Sequence, residues 1–126
     1  MLENVDVRDG ADGKKVPVFW SLGNFVSGQI EKPRMLGGMA KLTLEKTGDA
    51  CKVTEYSLTP LVTHRAPNPS MSVYKLSDYT EELASQNAIR NAPGCGDFTL
   101  QYCYDLVAQI LGEGFDANEG ILKGAL

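Results

Sequence analysis

Leu100, Cys103, Tyr104, Val107, Ile110 and Leu111 recur at the i, i+3, i+4, i+7 spacing of a helix that buries one face, the strongest periodicity in the chain. A helix with one apolar face has to lay it on a second layer. Upstream the period shortens. Residues 39–45 set Met39, Leu42 and Leu44 against Lys41, Thr43 and Glu45, and Thr47-Gly48-Asp49 turns the chain back. Residues 52–62 read as the returning strand, with Val53, Tyr56, Leu58 and Leu61 toward a core. The spacing from Val53 to Tyr56 breaks strict alternation and predicts a bulge or twist. Earlier still, residues 2–7 alternate, Asp9-Gly10-Ala11-Asp12-Gly13 supplies turn chemistry, and Val16-Pro17-Val18-Phe19-Trp20 is β-prone, so a hairpin is predicted. Pro17 has no N–H to give a ladder, so its strand begins there or has an unpaired edge.

Pro67, Asn68 and Pro69 follow His64 and break regular structure, dividing a β-rich region (1–65) from a helical one (75–126). Asp78 and Glu81 have capping-box spacing and predict a helix to Arg90, closed by Pro93-Gly94. The second helix is expected from Asp97 to the stops at Gly112 and Gly114, and Asp116 and Glu119 suggest a further short turn reaching Leu122. The fold class expected is α+β: an antiparallel β-meander with hairpins, followed by two or three C-terminal helices. At 126 residues this is a single domain or the C-terminal part of one.

The balance of 12 basic against 16 acidic residues gives a net charge of −4 and no basic cluster, which argues against nucleic acid as a partner. No apolar run approaches the length of a bilayer span, and no basic-then-apolar segment opens the chain. Cys51, Cys95 and Cys103 allow at most one internal bridge, with Cys95 and Cys103 nearest in sequence, or three reduced thiols; no CxxC pair suggests zinc. Asp6, Asp9 and Asp12 lack the turn glycine and distal glutamate of a calcium loop, and the glycines fit neither a P-loop nor a dinucleotide fingerprint. Glu81-Glu82 suits a helix N-terminus rather than an acid/base pair.

One segment carries a resemblance. VPVFWSLGNFVSGQ (residues 16–29), with Ser-Leu-Gly-Asn-Phe at 21–25, resembles the strand-loop signature near the C-terminal end of the CapA-type capsule (poly-γ-glutamate) synthesis family. The Gly37-Gly38 turn into MAKLTLEK, the strand ending SLTPLVTH at His64, and YKLSDYTEEL from Tyr74 follow in the family's order. The resemblance covers residues 16–83 well and weakens from Asn91. It implies part of a calcineurin-like metallophosphoesterase α/β sandwich. The family's dinuclear metal (Mn, Fe or Zn) is held by ligands upstream of the signature, the last in a Gly-His-Pro-His-like motif. The resemblance therefore implies no metal ligands or cofactor within this chain, no complete catalytic site, and an N-terminal metallophosphatase portion as partner. It further implies a bacterial parent, extracytoplasmic or membrane-anchored at the cell surface, that handles an anionic glutamate polymer.

On that resemblance the loop Ser21, Gly23, Asn24 and the single imidazole, His64, are the candidate substrate-binding residues. Asn24 would donate its amide to a phosphate or carboxylate oxygen, with Ser21 assisting; otherwise Gly23-Asn24 makes a tight turn anchoring Phe25 in the core. His64 would orient or protonate a substrate group, or else bond to backbone. A Cys–His nucleophilic pair has nothing to bring it together. The alternative function is an autonomous non-catalytic binding or assembly module, self-associating through a strand edge as a homo-oligomer.

Overall fold

A computed structural model describes all residues from Met1 to Leu126. The N-terminal hairpin pairs β1 (Val5–Asp9) with β2 (Lys15–Phe19), placing Val7 opposite Pro17. These two strands form their own small sheet, so β2 has no second neighbour and the missing proline N–H leaves no ladder incomplete.

The larger sheet is built on β4 (Ala50–Arg65), which pairs along its length with β3 (Leu36–Thr47). Thr43 faces Glu55 and Leu44 faces Val53, so Thr54 is the extra residue of a bulge on β4, between the two positions whose spacing predicted one. On its other side β4 pairs with β5 (Met71–Lys75) through residues 61–65 and with β7 (Ile121–Ala125) through residues 55–58. Pro60 falls in the gap between those two partners. Gly38, opposite it, donates its N–H away from β4 to Leu22 O, so the Pro60 nitrogen points into the gap, where no donor is required. A short β6 (Phe115–Asp116) closes the far side of β7.

Helices cover one face. Helix α1 (Glu81–Gln86) is capped by Thr80, and α2 (Leu100–Leu111) by Thr99, each hydroxyl accepting from the N–H three residues on. Leu58 and Val62 of β4 and Leu122 of β7 meet Leu76, Ala84, Ile89, Phe98, Cys103, Val107 and Leu111 in one core. The hairpin packs on the same sheet, Phe19 standing edge-on to Tyr56 at 6.4 Å while Lys14 Nζ reaches Cys51 O.

The α+β class with antiparallel sheets and a C-terminal helix is what the structure has. Two expectations need correction. The helix predicted from Asp78 to Arg90 is broken at Asn87, because that side chain accepts from Ile89 N–H and donates to Thr63 O instead of leaving the backbone helical. The helical region (75–126) ends in strands: the turn expected to reach Leu122 is an Asx turn at Asp116 leading into β7. Of the two cysteine alternatives the structure has the three free thiols, with Cys51 exposed and Cys95 and Cys103 buried. No helix is long and apolar enough to cross a membrane.

Candidate functional site: a pinned loop with its apolar side chains turned outward

Between Phe19 and Lys32 the chain runs without regular structure, yet its backbone is fixed. Gly23 forms a bridge with Gly37, and Gly38 N–H donates to Leu22 O at 2.7 Å. This approach needs glycine twice. Gly23 sits at φ +67°, and a Cβ on Gly37 would lie 2.0 Å from Asn24 O. Ser21 Oγ accepts from Gly23 N–H at 3.2 Å, and Asn24 Nδ2 donates to Arg34 O at 3.0 Å. Thr63 Oγ1 donates to Phe25 O, and Arg65 Nη1 to Gln29 O. Lys32 then ties the far end to the helical layer, 2.6 Å from the Asp97 carboxylate and 4.9 Å above the Tyr102 ring. That hydrogen bond holds the Asp97 carboxyl below the ordinary range, while burial pushes the Tyr102 hydroxyl up to about 12.

The side chains between these ties face solvent. Phe25 is 64% exposed and Trp20 52%, with Leu22, Val26 and Ile30 exposed beside them. The turn at Gly23-Asn24 therefore does not anchor Phe25 in the core; it presents it. Trp20 is held in place from the hairpin side, its Nε1 donating to Asp6 Oδ2 at 2.7 Å and Arg8 lying 5.3 Å from its ring. Ser27 Oγ, in the same loop, is the one buried side-chain polar atom without a hydrogen-bond partner.

His64 lies elsewhere. Thr63 and His64 are consecutive on β4 and so point to opposite faces of the sheet: Thr63 toward the loop, His64 into the helical side. Its Nδ1 is 2.8 Å from the Tyr79 hydroxyl, and Asn87 Nδ2 reaches both that hydroxyl and Thr63 O. The rings of Tyr74 and Tyr79 stand within 6 Å of it. At 8% exposure the imidazole is disfavoured as a cation, which lowers its pKa; burial likewise drives the Tyr79 pKa up. The structure thus brings Ser21, Gly23 and Asn24 into one loop and leaves His64 on the other side of β4, as a latch between sheet and helices.

No three His, Cys, Asp or Glu side chains converge. A concavity of about 660 Å³ lies on the open face of the sheet among Lys41, Ser57, Lys75 and Lys123, apart from all four candidate residues. Sequence reasoning named the polar residues that fix the loop and missed Trp20, Val26 and Ile30. Their signal was apolar side chains in a segment with neither period two nor period 3.6, where no core element could absorb them. The chain matches no known protein family, no curated protein and no solved structure.

Proposed function

We propose that this chain is the C-terminal portion of a CapA-type capsule (poly-γ-glutamate) synthesis protein and that it acts by docking on a metallophosphatase-like N-terminal portion, which brings the divalent metal. The observation that carries this reading is the loop of residues 20–30. Hydrogen bonds from Asn24, Thr63 and Arg65 fix its backbone, and its aromatic and aliphatic side chains face away from the chain's own core. A segment ordered by that many contacts, and still exposing Trp20, Phe25, Val26 and Ile30, is prepaid for an interface: little further ordering is lost on binding. Trp and Phe are the side chains that contribute most per residue in such a contact.

The Ser-Leu-Gly-Asn-Phe signature then has a division of labour. Ser21, Gly23 and Asn24 set the backbone and Phe25 makes the contact, with Ser21 and Asn24 near enough to the joint to meet substrate once the cleft is assembled. The chain alone is not catalytically complete. The whole protein belongs at a bacterial cell surface, extracytoplasmic or membrane-anchored, acting on an anionic glutamate polymer. The test is reconstitution. A recombinant CapA-type portion ending after its Gly-His-Pro-His-like motif is mixed with this chain and passed over a sizing column. A stoichiometric complex with metal-dependent phosphoesterase activity exceeding that of either part is expected. Separate elution at all concentrations overturns the reading.

A further inference from the structure

A second surface continues along the edge strand β3 beyond the loop. The outer edge of β3 is engaged by residues 22–23 only at Gly37 and Gly38, and from Met39 to Thr47 its sole strand partner is β4. That leaves nine residues, roughly 30 Å of strand at 3.3 Å each, with an unpaired row of N–H and C=O groups. Because Gly38 aims its N–H away from β4, so by alternation do Ala40, Leu42, Leu44 and Lys46. The bulge falls on β4, so β3 keeps an unbroken alternation through this stretch. Leu42 and Leu44 are 46% and 62% exposed.

We infer that this edge pairs with the same edge of a second copy, antiparallel about a twofold axis through Thr43. The sequence around that residue, Lys41-Leu42-Thr43-Leu44-Glu45, is self-complementary. In this register Lys41 of each copy faces Glu45 of the other on one side of the sheet, and Leu42 faces Leu44 on the other side. The outward-pointing residues meet one another, so Leu42 with Leu44 and Ala40 with Lys46 exchange both backbone bonds, about eight across the joint. Moving the axis to Leu42 or to Leu44 keeps that backbone match but sets Met39 against Glu45, or Lys41 against Thr47, and loses both charge pairs. Charge complementarity therefore selects one register of the three. Glu45 is free to take part, its only intrachain ion contact being a solvent-exposed one to Lys52 at 4.0 Å. The product is a continuous sheet across two copies, with an isologous joint of the kind that closes at a dimer. The inference stands on β3 alone and does not depend on the docking role of residues 20–30.

Sedimentation velocity over a wide concentration range tests it. The wild-type chain is expected to show a reversible monomer–dimer equilibrium. Lys41→Glu alone and Glu45→Lys alone each place two like-charged pairs in the joint and are expected to weaken the dimer roughly tenfold or more. The double reversal restores opposite charges and is expected to recover the wild-type equilibrium. The register is read separately by Thr43→Cys in a Cys51→Ser background, because Thr43 faces its own copy across a close, non-hydrogen-bonded pair. Mild oxidation is expected to give a covalent dimer. A chain that stays monomeric throughout, a dimer indifferent to the single reversals, or a wild-type dimer whose Thr43→Cys variant does not cross-link overturns the proposal.

Discussion

Gly37 is the residue on which the loop depends most directly. A methyl group there would meet the Asn24 carbonyl oxygen at 2.0 Å, and that oxygen belongs to backbone held on both sides. Gly37→Ala is expected to cost about 3 kcal/mol or more, lowering the thermal midpoint by roughly 10 °C; a melting curve followed by circular dichroism measures it. His64 carries the chain's pH response near neutrality. Its folded pKa lies below the unfolded value of about 6.5, so between the two the unfolded chain binds a proton that the folded chain does not. The stabilisation is fully present above the unfolded value and falls away as the pH drops toward the folded one. Urea unfolding midpoints measured across that range should decline with acidity in the wild type, and His64→Gln should flatten the decline.

Among the elements, the body and end of α2 were legible in the sequence because its period and its Gly112 stop agree, whereas its start, expected at Asp97, falls at Leu100 behind the Thr99 cap. Thr99→Ala should cost about 1 kcal/mol in a denaturation series. The β3–β4 ladder was legible too, including the bulge, since strand signals on both sides of Thr47-Gly48-Asp49 fixed the pairing. Elements defined by their neighbours were not. The strand at Ile121–Ala125 has five residues and a glycine, and it is a strand because β4 leaves a slot beside residues 55–58. Gly124 fits there because the Tyr56 ring lies over it. Likewise the only local signal that ends the helix at Gln86 is the Asn87 side chain accepting from Ile89 N–H, and the rest of what holds Asn87 there comes from Thr63 and Tyr79, outside residues 81–90. Asn87→Ala would strand Thr63 O in the core and should cost about 2 kcal/mol, read from the same unfolding series.

At the scale of the whole molecule, one core is accompanied by two exposed apolar regions, the loop at residues 20–30 and the free edge of β3. The sequence showed the loop's residue types and their resemblance, but not that Phe25 faces outward. That direction is set by the Gly23–Gly37 bridge, by the Asn24 amide donating to Arg34 O and by Thr63 donating to Phe25 O, a tertiary arrangement no local pattern encodes. Phe25 is largely exposed and Trp20 half so, with one hydrogen bond to Asp6 and the Arg8 contact to lose, so replacing both with serine should lower the chain's own stability by only about 1 kcal/mol. Calorimetric titration of the metallophosphatase-like portion with the wild-type chain and with this double variant is the most direct test of the docking role. The account predicts saturable one-to-one binding by the wild type, with a heat-capacity decrease from apolar burial, and binding weakened at least about a hundredfold in the variant. Equal affinities for the two chains, or no heat from either, would contradict it.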